Sequence, residues 1–201
     1  MRGLLFLVVG PSGVGKDSLI DGARRRLAGD PRIVMPARVV TRPAGAGGED
    51  HLAMSEAAFA AAEAQGAFCL SWRAHGLAYG IPASAAEALA AGRSVVANVS
   101  RAVIPEARRR LAPLRVVAVT APAEILAARL HARAREDAAA IAARLARADA
   151  GAIDGPDVLV LRNAGSLEDG ISRFTALLLG QIDGNASESP LSHPNVLGVQ
   201  P

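Results

Sequence analysis

Within nine residues, Gly10-Pro11-Ser12-Gly13-Val14-Gly15-Lys16-Asp17-Ser18 gathers three glycines, a lysine and three oxygen-bearing side chains. Glycines at this spacing let backbone N–H groups converge on phosphate oxygens, and the lysine adds a point charge that reaches the β- and γ-phosphates. The chemistry is phosphate binding. Lys16 is the only lysine in the sequence; every other strong base is arginine. Such loops usually place a serine or threonine after the lysine, where its hydroxyl ligates Mg²⁺. Here Asp17 takes that place and Ser18 follows. The Asp17 carboxylate either serves as a hard oxygen ligand for Mg²⁺ or merely favours the first turn of a helix.

A second set of charges reads as phosphate-handling too. Arg129 and Arg133 are four apart, on one helix face, and Arg144 and Arg147 are three apart on a following helix. Two such helices joined by a short turn make a lid that excludes water and brings positive charge to a transferring phosphoryl group. Arg38 and Arg42 flank Val39-Val40-Thr41 and offer a bidentate grip on an acceptor phosphate. Tyr79 either adds a phenolic hydrogen bond there or packs beneath a turn. Asn98 and Arg101 stand at the end of an apolar run, where ligands meet open α/β sheets. Trp72 reads as core. His51, His75 and His131 lack metal-ligand spacing and read as polar surface residues.

The elements that must position these residues follow from periodicity. Leu4–Val9 is an unbroken apolar run, hence a buried parallel strand, and a helix over Lys16–Ala28 follows the glycine loop. Strands are expected over Ile33–Val40, Ala67–Trp72, Ser94–Val99, Val116–Thr120 and Val158–Leu161. Helices are expected over Ala57–Gln65 with Ser55 as N-cap, Ser84–Ala91 stopped by Gly92, Ala123–Ala134, Asp137–Ala150 and Leu167–Leu179. Ala44–Gly48 reads as a flexible loop and Gly76–Gly80 as a tight connection. Strands alternating with helices argue an α/β fold, a parallel core sheet flanked by helices. One domain over residues 1–182 is expected, with an acceptor-binding lobe inserted at about 33–83 and a helical arginine lid at about 129–150. Residues 183–201 read as a disordered tail.

Composition narrows the partners. The net charge is only +3, with no long basic block or aromatic-basic stacking pattern, so nucleic acid is not expected. Clustered arginines point instead to a small, highly anionic ligand. A lone cysteine, Cys69, forms no intramolecular disulfide, which fits a reducing, cytoplasmic setting. The first apolar run is too short to span a membrane and leads straight into the glycine loop, so it reads neither as an anchor nor as a removable leader.

From Leu4 to about Leu179 the chain resembles the guanylate kinase-like P-loop kinases, and the resemblance implies a P-loop NTPase fold. The loop is similar to that family's GPSGVGKS form. Thr41-Arg42-Pro43 is similar to its acceptor-phosphate segment, implying that Arg42 grips that phosphate. Gly76-Leu77-Ala78-Tyr79-Gly80 is similar to a second such segment, implying the same for Tyr79. The run from Arg129 to Leu145 is similar to the lid pattern, implying that Arg133 and Arg144 contact the donor phosphates. Departures fall in the acceptor pocket. Leu70 stands where guanylate kinases carry the guanine-reading glutamate, Arg38 replaces a pocket serine, Gly45 replaces a second arginine and Asn98 replaces an acidic strand end. With Gly-Lys-Asp-Ser, the segment Leu70-Ser71-Trp72 to Tyr79-Gly80, and Val95 to Arg101, these departures resemble the ribose 1,5-bisphosphate phosphokinases. That resemblance implies Mg²⁺-assisted transfer from ATP to the 1-phosphate of ribose 1,5-bisphosphate, in phosphonate degradation, with Arg38, Arg42, Tyr79, Asn98 and Arg101 at the sugar bisphosphate. A guanylate or other nucleoside monophosphate kinase, and a kinase-like domain that only binds partners, are the rival readings.

Overall fold

The computed structural model describes residues 2–43, 51–132 and 153–187. β1 (Leu5–Val9) is buried at every position because both its faces are covered. It is the middle strand of a five-stranded sheet ordered β2 (Ile33–Val34), β7 (Ser94–Asn98), β1, β8 (Leu114–Thr120), β9 (Val158–Arg162), parallel at every pairing. Alternate β1 residues divide the core. Leu5, Leu7 and Val9 pack toward α3 (Ser84–Ala90) and α4 (Ile104–Arg110). Phe6 and Val8 pack toward α1 (Lys16–Arg26) and α6 (Leu167–Ser187). Each such apolar side chain contributes about 1.5–3 kcal/mol on burial. Helices α1 and α6 approach closely at Gly22, where any Cβ would collide with the Ile171 side chain.

A second, four-stranded sheet is ordered β4 (His51–Ala53), β3 (Arg38–Val40), β6 (Leu77–Pro82), β5 (Phe68–Ala74). Its helix, α2 (Glu56–Ala64), starts where the Ser55 hydroxyl accepts from Ala58 N at 3.2 Å, as expected of that N-cap. Phe59 of α2 is fully buried and stacks on Phe68 with ring centroids 4.6 Å apart.

Four expectations are corrected. Ile33–Val40 is not one strand: Pro36 interrupts it, and its two pieces join different sheets, because proline supplies no ladder N–H. The tight connection expected over Gly76–Gly80 is shorter and falls earlier, since β6 already begins at Leu77. The reversal is His75-Gly76, both at positive φ (52° and 72°), and Gly80 lies inside β6 because a Cβ there would sit 2.6 Å from the Phe68 ring. His51 is buried, 8% exposed, rather than a surface residue. The closing helix runs on to Ser187, beyond the expected start of a disordered tail, because Ile182 is buried and Asp183 pairs with Arg32 at 3.0 Å. Besides β6, the sequence reading gave no counterpart to β4, only three residues long, or to α4, whose start is marked by Pro105 and whose surface carries a Glu106–Arg110 pair. The expected Ala44–Gly48 loop and the helix over 137–150 lie outside the described residues. No described helix is long and apolar enough to cross a membrane.

Candidate active site

Parallel strands put all their carboxyl ends on one edge of the core sheet, and the glycine loop leaves β1 at its middle. Gly10, Gly13 and Gly15 take φ of 149°, 84° and 97°, a region that L side chains rarely adopt, and so wrap the backbone into the concave shape an anion needs. Gly15 is also the left-handed N-cap of α1, so the positive end of that helix faces the concavity. Val14 turns inward and is fully buried, fixing the loop to the core. Pro11 is half-buried and Ser12 exposed on its rim. Lys16 Nζ reaches back across the loop, donating to Gly10 O at 2.8 Å and Pro11 O at 2.9 Å. The guest loop geometry and its lysine are therefore assembled together.

On the β8–β9 side, the loop is braced from behind. Asn163, 3% exposed, follows β9 and donates from Nδ2 to Val14 O at 2.8 Å, while its own N–H donates to Thr120 O at 2.7 Å. Arg129, on α5 (Ala123–Ala132), donates from Nη1 to Asn163 O at 3.1 Å and Val14 O at 3.3 Å. Thus Arg129, read from sequence as part of a lid face, holds the phosphate loop through its backbone. Asn163 was missed by sequence reasoning, although an asparagine at the carboxyl end of an apolar strand was a usable signal. We expect Asn163→Asp to cost about 2 kcal/mol or more in urea unfolding, because it sets a carboxylate against the Val14 carbonyl in a buried place.

On the β2–β7 side, a cleft of about 30 Å³ opens between α1, the start of β3 and the end of β7. Asp17, Asp21, Arg24, Arg38 and Asn98 are its polar lining. Asn98 Nδ2 donates to Asp17 Oδ1 at 2.6 Å, and Arg38 Nη1 donates to Asn98 O at 3.2 Å. Arg24 and Asp21 pair with each other. The Arg38 guanidinium also lies over the Tyr79 ring, 5.5 Å from its centroid, and Tyr79 stacks in parallel on Trp72 at 5.3 Å. Both Tyr79 and Trp72 pack in the core cluster, which bears out Trp72 as core and gives Tyr79 its packing role.

Arg42 follows β3 beside His51. Its Nη2 lies 3.5 Å from His51 Nδ1, and His51 Nε2 lies 3.3 Å from Arg42 O. A guanidinium only donates and a carbonyl only accepts, so a ring protonated on Nε2 satisfies both contacts. Thr41 laces this segment to β6: its Oγ1 accepts from Ala78 N at 2.8 Å and its N–H donates to Ala78 O at 3.0 Å. Arg42 thereby leaves the end of β3 beside β6, where Val40 lies opposite Tyr79. Arg101 opens the turn Arg101–Val103 directly after β7, half-buried. Contacts thus run from Asp17, on the first turn of α1, to Asn98, from Asn98 to Arg38, and from Arg38 to the Tyr79 ring, while Lys16 and the half-buried Ser18 flank Asp17 in sequence. Arg133 and Arg144 lie outside the described residues.

No protein-family model matches the chain. The ribose 1,5-bisphosphate phosphokinase PhnN of Rhizobium etli (strain CIAT 652) is 47% identical over 179 residues, which cover 89% of this chain and 91% of that protein. The bifunctional ribose 1,5-bisphosphokinase-thymidine phosphorylase of Cupriavidus necator is 46% identical over 195 residues; the match takes in 97% of this chain but only 32% of that longer protein. Among solved structures, guanylate kinase from Anaplasma phagocytophilum superposes with a TM-score of 0.57 at 18% identity, covering 90% of this chain and 86% of that one, a likeness of fold. Identity of 47% over nine-tenths of both this chain and the Rhizobium etli protein shows that the chain belongs to the ribose 1,5-bisphosphate phosphokinase family.

Proposed function

We propose that the protein transfers the γ-phosphoryl group of ATP to the 1-phosphate of ribose 1,5-bisphosphate. The β–γ bridging P–O bond breaks, a P–O bond to the 1-phosphate forms, and the products are ADP and 5-phosphoribosyl 1-diphosphate. The observation that carries this reading is the acceptor wall. Leu70, at the place of the guanine-reading glutamate, is 2% exposed in the core, while Arg38 and Asn98 line the cleft. A site that reads a ligand through hydrogen bonds rejects one that leaves those groups unpaired. The phosphonate-degradation setting and a cytoplasmic, reducing location belong to the same proposal. The buried Cys69 thiol fits them, since burial pushes its pKa up and leaves it unreactive.

The acceptor oxygen is an ionised phosphate oxygen, so the chain supplies no strong base; it positions and neutralises. The glycine loop and Lys16 hold the donor phosphates. ATP bound with Mg²⁺ supplies the phosphoryl group and the neutralising divalent charge. Among the described residues no three His, Cys, Asp or Glu groups form a ready metal cluster. That fits an ion which keeps water and phosphate ligands and takes only one or two from protein. Ser18 and Asp17 are the oxygen donors nearest the loop lysine in sequence. Arg38, Arg42, Tyr79, Asn98 and Arg101 hold the acceptor, and Arg133 and Arg144 close over the transferring group.

A coupled assay of ADP release with ribose 1,5-bisphosphate, GMP and AMP tests this. Turnover with the sugar bisphosphate, at a kcat/KM at least about 10³-fold above that for GMP, is the expected result. Preference for GMP would make the protein a guanylate kinase. Release of no ADP with any acceptor would make it a binding module.

A further inference from the structure

We propose that Asp17 is the residue that reads the sugar: held by Asn98, its carboxylate accepts hydrogen bonds from ring hydroxyls of the acceptor. The proposal rests on the acceptor assigned above and names the part of the cleft that recognises it.

Three features of the cleft converge on this role. The first is orientation. Asn98 Nδ2 donates to Asp17 Oδ1 at 2.6 Å, and Arg38 donates to the Asn98 carbonyl at 3.2 Å. Asp17 is thus tied sideways to the end of β7, into the cleft that both residues line. The second is capacity. A carboxylate offers about four lone-pair sites, and the amide uses one. What remains on the cleft side is an acceptor-only group, which a hydroxyl suits and an ionised phosphate oxygen does not. The phosphates of the acceptor therefore fall to the arginines, and its uncharged middle falls to Asp17. The third is availability among the acids that line the cleft. The other acid in the cleft, Asp21, is already paired with Arg24. Ser18 then remains as the loop hydroxyl for the metal-bearing nucleotide.

The test pairs a truncated substrate with a truncated side chain. Wild type, Asp17→Ser and Asp17→Asn are each assayed with ribose 1,5-bisphosphate and with 2-deoxyribose 1,5-bisphosphate, while ATP and Mg²⁺ are titrated separately. Calorimetry of ribose 1,5-bisphosphate binding, without nucleotide and with EDTA present, accompanies the assays. Wild type should favour the ribose compound in kcat/KM by about 10–10²-fold, the range for hydrogen bonds to a charged group. Asp17→Ser should erase that preference to within about twofold, weaken metal-free acceptor binding about tenfold or more, and leave the half-saturating Mg²⁺ concentration within about twofold of wild type. A raised Mg²⁺ requirement with the ribose preference intact would overturn the proposal and make Asp17 a metal ligand. Equal use of both sugars by wild type, an arm that needs no variant to fold, would overturn it as well. A wild-type protein inactive on ribose 1,5-bisphosphate but active on GMP would instead remove the acceptor reading on which the proposal stands.

Discussion

Lys16→Ala should lower kcat/KM by about 10²–10³-fold while lowering the melting temperature by no more than about 2–4 °C. The two effects separate because the side chain has two jobs of unequal size. In the resting protein Lys16 donates to the Gly10 and Pro11 carbonyls at 2.8 and 2.9 Å, bonds on a half-buried loop worth about 1 kcal/mol net. In turnover the same ammonium faces the phosphate charge that shifts as the phosphoryl group leaves, where a lost donor costs about 2.7–4 kcal/mol. No other lysine exists to stand in. Steady-state kinetics at saturating acceptor, together with a thermal melt, reads both quantities. A folded variant retaining more than about a tenth of wild-type activity would remove Lys16 from the donor site.

Gly10→Ala should damage fold and turnover together. Gly10 sits at φ +149°, and a Cβ there would run into the Val119 carbonyl on the neighbouring strand β8. Backbone cannot yield as a flexible side chain does. Either β1 and β8 separate at their carboxyl ends or the loop leaves its path. The first loses pairing at Val9–Ala118, and the second carries away the carbonyl that Lys16 grips. We expect a stability loss of about 3 kcal/mol or more from strain and overpacking together, and turnover down with it. Urea denaturation with the slope checked for two-state behaviour measures the first, and the ADP-release assay the second. An unchanged urea midpoint would mean that the loop leaves β1 by a different path from the one described.

The core was legible because burial on both faces writes a continuous apolar run. Leu4–Val9, Ser94–Val99 and Val158–Leu161 are strands to within a residue or so of the expected ends. The phosphate loop was legible because its glycines and single lysine serve a backbone geometry that few other residues tolerate. The lobe was harder. Glycine in Gly76–Gly80 announces a loop, yet Gly80 exists to admit the Phe68 ring, a tertiary fact that no local pattern carries. The break at Pro36 was visible in sequence, but which sheet each half would join was not. In the site, the contacts that hold the loop in place were not foreseen. Arg129 braces the loop from behind, and Asn163 completes the brace from 34 residues away in sequence, a separation across which sequence alone shows no partnership.

Strand order has a consequence for how such an enzyme changes its diet. The loop leaves the central strand, so everything between β2 and the turn after β7 lies on one flank, and everything from β8 to β9 on the other. Residues on the first flank can therefore be exchanged without touching the brace that steadies the loop from the second. Tolerance to change should differ between the two flanks, because only the second holds the loop backbone in place.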